Sequence, residues 1–196
     1  MTRLFECEIR FKVEDIGGFE KRLRQLSASV VLRFEFTDHY YSPVTDQWDP
    51  VEKSLRIRRW SKPKKPTTIY FSKTEIVNVS GFRFKRALYP EGKIALFCGH
   101  IEICRSLLHD LGFQPWFVVR KERARVWELP KYGFRTTLEY IQELGWIGEL
   151  ECRETGTQAA RSQLKAALAV LGIPRHLVSH KPMAALFAEA TTAQRG

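Results

Sequence analysis

Residues 4–13, LFECEIRFKV, alternate without a break: Phe5, Cys7, Ile9, Phe11 and Val13 take one parity, and Glu6, Glu8, Arg10 and Lys12 take the other. Successive side chains of a strand point to opposite faces, so this period of two predicts a strand with one apolar face and one charged face. The pattern recurs along the chain. Strand-like runs follow at about 30–41, 53–60, 67–73, 82–89, 116–128, 134–141 and 147–153, separated by turns rich in Pro, Asp and Lys. That makes about eight strands, the number that closes into a small barrel.

Between the strands the period changes. Ile16, Phe19, Leu23 and Leu26 repeat at helical spacing, as do Ile101, Cys104, Leu107, Leu108 and Leu111 within about 100–111. A third helix over about 157–171 buries Leu164, Ala167, Leu168 and Leu171 and stops at Gly172 and Pro174. Ser179 reads as the N-cap of a last short helix, with Pro182 just inside it. LRQLSASVV, LLHDLGFQP and ALAVLGIPR each end a helix on a leucine-rich turn. This recurrence predicts strand–helix units on one sheet: a single domain over 1–190, with 191–196 as a frayed tail. A chain of 196 residues can bury such a core without staples.

The charged faces need an account. Glu6, Glu8 and Arg10 share a face, as do Arg56 and Arg58, Arg83 and Lys85, Lys121 and Arg123, and Glu149 and Glu151; Glu139 lies opposite Leu138 and Tyr140. For any one strand the plain reading is the wet face of an antiparallel sheet. Taken together that reading weakens, because three amphipathic helices need a sheet to cover. If they lie outside, the charges point into a lumen. The net charge of +10 implies an anionic partner. A nucleic-acid binder would show its cations on an exposed face among stacking aromatics. Here most cations share strands with carboxylates, and only Lys62, Lys64 and Lys65 form a loop cluster, broken by prolines. Nucleic acid is therefore disfavoured. An over-cationic lumen would need an anion and metal ions to balance it. Lysine and arginine suit phosphate, and paired carboxylates suit Mg²⁺ or Mn²⁺.

At this point the residues resemble a known family. Glu6-Cys7-Glu8-Ile9-Arg10 is similar to the E-x-E-x-K signature of the CYTH superfamily, the triphosphate tunnel metalloenzymes. The ordered series SLRIRR (54–59), Lys73, VVRKERARVW (118–127), TLEY (137–140) and GELE (148–151) extends the resemblance over nearly the whole chain. GFQPWFVVRKER and SHKPMAALF look nearest the class IV adenylyl cyclases. The resemblance implies an α+β fold, a closed eight-stranded antiparallel β-barrel with helices packed outside. It implies Glu6, Glu8 and Glu149 as metal ligands, with Glu139 and Glu151 as further partners, for one or two Mg²⁺ or Mn²⁺ ions. Arg56, Arg58, Lys73, Lys85, Lys121 and Arg123 would contact the triphosphate, with Arg10, Lys73 and Lys121 in catalytic positions. The reaction implied is ATP to 3′,5′-cyclic AMP and pyrophosphate. Thiamine triphosphatase, inorganic triphosphatase and a non-catalytic triphosphate or nucleic-acid binder stay open, since all would use one cradle. Substituting glutamine for Glu6, Glu8 or Glu149 is expected to stop turnover and leave the fold intact. The partner implied is a nucleoside or other triphosphate, and a homodimer is left open.

Three positions depart from the family pattern. Arg10 replaces the signature lysine and cannot readily give up a proton. FRFKRALY (82–89) is basic where many relatives are acidic. Lys73 shares its parity with Ile69 and Phe71, so aiming it inward requires a bulge.

The remaining features are plainer. No Walker A or G-x-G-x-x-G sequence offers another phosphate site. The five histidines form no metal-ligand spacing, and Trp48 and Trp60 are candidates for stacking against a base. The four cysteines have neither metal nor disulfide spacing, and no apolar run approaches the ~20 residues that span a bilayer. A cytoplasmic protein with no membrane partner is expected.

Overall fold

The alternation at residues 5–13 becomes strand β1 (Phe5–Val13) in the computed structural model, which describes residues 4–45, 48–89 and 91–193. The chain continues through α1 (Ile16–Gln25), β2 (Ser29–Pro43), β3 (Lys53–Lys62), β4 (Thr67–Val79), β5 (Phe82–Ala87) and β6 (Ile94–Gly99). After these come α2 (Ile101–Asp110), β7 (Phe113–Leu129), β8 (Phe134–Ile141), β9 (Gly145–Glu154), α3 (Thr157–Leu171), β10 (Val178–Ser179) and α4 (Met183–Ala193). Neighbours run β1-β5-β4-β3-β2-β7-β8-β9, all antiparallel, and nine paired positions between β1 and β9 close the ring. The expected eight-stranded antiparallel barrel forms.

Two short strands lie off this ring and were not expected. β6 pairs β4, and β10 pairs β1 at Arg10 and Phe11. Neither IALFCG nor VS carries an alternation of polar and apolar residues that would announce a strand.

The apolar parity of each strand faces outward, under helices. Cys7, Ile9, Phe11, Leu138 and Leu150 pack with Leu23 of α1 and with Leu164, Ala167 and Leu171 of α3. Gly148 stands opposite Phe11, and a Cβ there would lie 2.1 Å from the Phe11 ring, so glycine lets that ring lie across the seam. Leu55, Ile57 and Ile69 pack with Cys104 and Leu108 of α2. Asp15 caps α1 by accepting from Gly18 N at 3.0 Å, and α3 ends on Gly172 at φ 67°, a left-handed stop as the sequence predicts.

The fourth helix departs from the expectation that helices lie outside. Met183, Ala184 and Phe187 pack with Tyr40, Val119, Ile141 and Ile147, which carry the inward parity, so α4 plugs one end of the ring. Ser179 is not its N-cap. It is held extended in β10, and Pro182 instead stands at the cap position, its carbonyl accepting from Leu186 N at 3.1 Å. α4 runs to Ala193 and takes in the first residues of the tail expected at 191–196; 194–196 lie outside the described residues.

Candidate active site in the ring lumen

Strand parity turns the charged faces inward. A cavity of about 240 Å³ inside the ring is lined by Glu6, Glu8 and Arg10 of β1, Arg56 and Arg58 of β3 and Lys85 of β5. Lys121 of β7, Glu139 of β8 and Glu149 and Glu151 of β9 complete the predicted set. The aromatic wall at one side is Phe34, Phe36 and Trp60.

Two predicted residues are elsewhere. Lys73 is exposed on the outer face, because β4 pairs β3 in unbroken register from Thr68 to Lys73 and supplies no bulge to turn it. Ser72 and Thr74 take the inward positions on either side. Arg123 is exposed too. The pairing of β7 with β8 slips between Glu122 and Arg125, Arg123 takes φ 49°, and its guanidinium sits 4.2 Å from the Tyr140 ring centroid, away from Lys121. A one-residue bulge reverses parity, and spacing alone cannot reveal it. Of the two tryptophans considered for stacking, Trp60 lines the cavity, while Trp48 packs between Phe71 and Phe113 in the outer core.

Sequence reasoning missed Asp38 and Lys93. Asp38 is fully buried and takes a bidentate fork from Arg58, Nε and Nη2 each donating at 2.7 Å, with Arg56 Nε 3.3 Å away. Its inward parity with Phe36 and Tyr40 was the available signal. Lys93 precedes β6 in a turn, where no periodicity applies. Gly92 beside it has φ 73°, and a Cβ there would meet the Glu6 carboxylate at 2.3 Å.

Within the lumen most of the charges are paired. Lys121 Nζ donates to Glu139 at 2.7 Å, Arg10 Nη2 donates to Glu149 at 2.7 Å, and Glu8 is gripped by both Arg10 and Lys85. Arg10 Nη1 also donates to the Lys181 carbonyl at 3.2 Å, tying the site to the segment before α4. Among the described residues, seven cationic side chains and six carboxylates line the cavity. The lumen keeps the expected cationic surplus, but it is one formal charge and so close to balance.

The environment separates the carboxylates. Burial works against the Asp38 charge, but Arg58, Arg56 and Lys121 together hold the carboxyl below its usual range. Glu149 behaves likewise: burial opposes its charge, yet Arg10, Lys121 and Lys85 bring it down to about 2. Glu6 and Glu151 make no ion pair inside the lumen among the described residues. Burial first, and then neighbouring carboxylates, raise both, Glu151 to about 8. Burial, Arg58 and Arg56 push Lys93 down, and burial pushes Tyr40 up to about 12.

A pH prediction follows from this split. Glu151 is raised in the folded state, so its contribution is fully present below about 4.3 and is lost as pH climbs toward about 8. Glu149 is depressed, so its contribution is present above about 4.3 and is lost as pH falls toward about 2. The melting temperature of Glu151→Gln minus that of the unaltered protein should therefore grow between pH 5 and pH 8; a flat difference would remove the claim.

The donors fit a hard divalent cation in kind, since all are carboxylate oxygens and the raised pair Glu6 and Glu151 would be relieved by one. Among the described residues, no group of three such donors converges as a preformed metal site. Glu8 and Glu149 are occupied by Arg10 and Lys85 instead.

Comparison with known proteins agrees with this fold. The CYTH domain profile matches residues 4–178. No curated protein sequence matches the chain. Among solved structures, a protein of Pyrococcus horikoshii superposes with TM-score 0.71 at 20% identity, over 94% of this chain and 98% of that one. A Vibrio parahaemolyticus protein assigned as an adenylate cyclase superposes with TM-score 0.68 at 16% identity, over 96% and 98%. A Hippeastrum protein assigned as an adenylyl cyclase, with a dominant triphosphatase activity, gives TM-score 0.56 at 14% identity, over 97% and 96%.

Proposed function

Because the chain belongs to the CYTH domain family, we propose that it is a metal-dependent enzyme acting on a triphosphate in the ring lumen, with ATP cyclisation as its reaction. The observation that carries this reading is the paired lumen itself. Arg10, Arg58, Lys85 and Lys121 are already stripped of bulk water and held at fixed positions by Glu8, Glu149, Asp38 and Glu139. A triphosphate entering with a divalent ion exchanges partners: phosphate oxygens take the cations, and the ion takes released carboxylates. Opposite charges stay matched throughout, so entry does not bury a naked charge.

Phosphoryl chemistry asks for this arrangement, because positioning and charge neutralisation supply most of the catalysis. Arg56 and Arg58 on β3 face Lys121 on β7 across β2, and together they would grip the phosphate chain from two sides. A divalent ion, held by Glu6 and Glu151 with Glu8 or Glu149, would neutralise phosphate oxygens and so ease nucleophilic attack on phosphorus. In cyclisation the ribose 3′-oxygen bonds to the α-phosphorus, the bond to the β-phosphate oxygen breaks, and pyrophosphate leaves. The 3′-hydroxyl proton needs an acceptor. Arg10 cannot serve, whereas Lys93 has a depressed pKa and lines the cavity.

The test is product separation after incubating the protein with ATP and Mn²⁺ or Mg²⁺. Cyclic AMP with stoichiometric pyrophosphate is expected. ADP with orthophosphate, or turnover of tripolyphosphate or thiamine triphosphate alone, would replace cyclase by triphosphatase. Metal-dependent stabilisation without product would make the protein a sensor. Unchanged melting with all three triphosphates would sink the lumen reading, since a ligand at ~100 times its dissociation constant adds about 2.7 kcal/mol.

A further inference from the structure

The near balance of the lumen relocates the charge. The chain carries a formal +10, yet the cavity holds seven cations against six carboxylates, so nearly all the excess lies outside. Part of it gathers on the outer face of β3, β2 and β7. Thr37 in β2 stands opposite Arg59 of β3 on one side and opposite Arg120 of β7 on the other. Directly opposed residues share a face, so the two arginines flank Thr37, about 10 Å apart at the ~4.8 Å strand spacing. Both are exposed, and among the described residues neither has a carboxylate partner. The bulge that removes Arg123 from the lumen delivers it to the outside of the same strand. The loop that follows β3 carries exposed Lys64 and Lys65, the latter over the Trp60 ring at 4.6 Å, on the lumen side. Two carboxylates are nearby, Glu35 and Glu122, and Glu35 is engaged by Lys62 at 3.4 Å.

Trp116 completes the face. It sits at a second slip in the pairing of β7 with β2, between Val118 and Pro115, and lines a groove with His39, Val118 and, from α2, Arg105 and Asp110; it is 40% exposed and rests against Phe117 at 4.7 Å. His39, one row along from Thr37, reports the local field: burial and then Arg105, Arg59 and Arg120 disfavour its protonation.

We propose that this face docks a single-stranded nucleic acid, with Arg59 and Arg120 on its phosphates and Trp116 stacked against a base. Arginine forks grip phosphate oxygens in pairs, and the exposed indole offers a nucleobase a stacking surface that a carboxylate-bearing peptide of equal charge would leave unused. A base can stack on Trp116 only where it is unpaired, which favours a single strand over a duplex. The inference does not depend on what the lumen binds.

The experiment is fluorescence anisotropy with a labelled oligonucleotide of about 16 nucleotides carrying a 5′-hydroxyl, titrated at several salt concentrations with Mg²⁺ and excess tripolyphosphate to occupy the lumen. The unaltered protein should bind, and raising salt should weaken binding. Arg59→Ala with Arg120→Ala should reduce the slope of log affinity against log salt by about 1.4, two contacts at ~0.7 each. Trp116→Ala should weaken binding about tenfold. Lys165→Ala with Arg175→Ala removes the same charge from the groove beside α3 and should leave the slope unchanged. Equal losses in the two double variants would overturn the proposal in favour of diffuse attraction by net charge. No binding by the unaltered protein, binding of polyglutamate in place of the oligonucleotide, or indifference to Trp116→Ala would overturn it as well. Melting temperatures of all variants separate lost docking from lost fold; if the alanine pair melts early, Arg59→Gln with Arg120→Gln replaces it.

Discussion

Asp38→Ala should destabilise the protein by about 3–5 kcal/mol, the cost of stranding a buried charge, and should lower the melting temperature by roughly 10 °C. Asp38 has no exposed surface and answers two arginines at once, Arg58 through a bidentate fork and Arg56 at 3.3 Å. With alanine in its place, Arg58 keeps its burial and its charge but loses its only carboxylate among the described residues. The Phe36 ring, 3.6 Å from the Arg58 guanidinium, is too weak a partner to compensate. Chemical denaturation measures the loss directly. Asp38→Leu combined with Arg58→Met should recover most of it, because apolar residues of similar volume often match a buried ion pair. If Asp38→Ala instead stays within about 0.5 kcal/mol, the pair is a surface-type bridge and the lumen is wetter than its geometry implies.

A comparison of Glu6→Gln with Glu8→Gln should separate metal binding from architecture. Both side chains line the lumen and come from one strand, two residues apart. Glu8 holds Arg10 and Lys85 and is 3% exposed, so its loss leaves two buried cations short of a partner and should cost about 3–5 kcal/mol. Glu6 makes no such pair and is disfavoured by burial and by its carboxylate neighbours, so glutamine there should leave stability unchanged or raise it. Each substitution should nevertheless cut metal-dependent turnover by about 10²-fold or more, the scale seen when one charge-stabilising group is lost. Melting curves with and without Mn²⁺, beside product assays, read both effects. This revises the sequence-based expectation that glutamine at Glu6, Glu8 or Glu149 would spare the fold alike. Glu149 belongs with Glu8, since it too pairs with Arg10. Equal stability of the Glu6 and Glu8 variants would show that Arg10 and Lys85 find other partners.

Much of the fold was legible because β-structure writes itself in period two. A strand that buries one face under helices and turns the other into a lumen must alternate apolar with charged residues; β1 does so throughout, β3 does so over 55–58 and β9 over 149–153. Local signals fixed the end of α3, where Gly172 adopts the left-handed conformation that glycine takes most readily. Ten of the twelve predicted site residues line the lumen for the same reason: parity, once correct at one residue of a regular strand, is correct at the next but one. Lys73 and Arg123 were the failures. Lys73 had the wrong parity from the start, and only a bulge could have rescued it; Arg123 had the right parity, and a bulge removed it.

The sequence by itself therefore determined the strands, their two faces, the outer helices and the kind of chemistry a charged interior can do, because each follows from neighbours within a few residues along the chain. The tertiary structure decided the rest. Whether Arg10 meets Glu8 and Glu149, whether Asp38 neutralises Arg58, and whether α4 lies over the ring or plugs it depend on which strands become neighbours and in what register. Those pairings join residues as far apart as Arg10 and Glu149, and the short-range periods of the chain carry no record of them. The balance of charge was decided in the same way. Composition supplied a surplus of cations, but only closure of the ring determined how many were enclosed with carboxylates and how many were left outside, facing solvent and an anion yet to be tested.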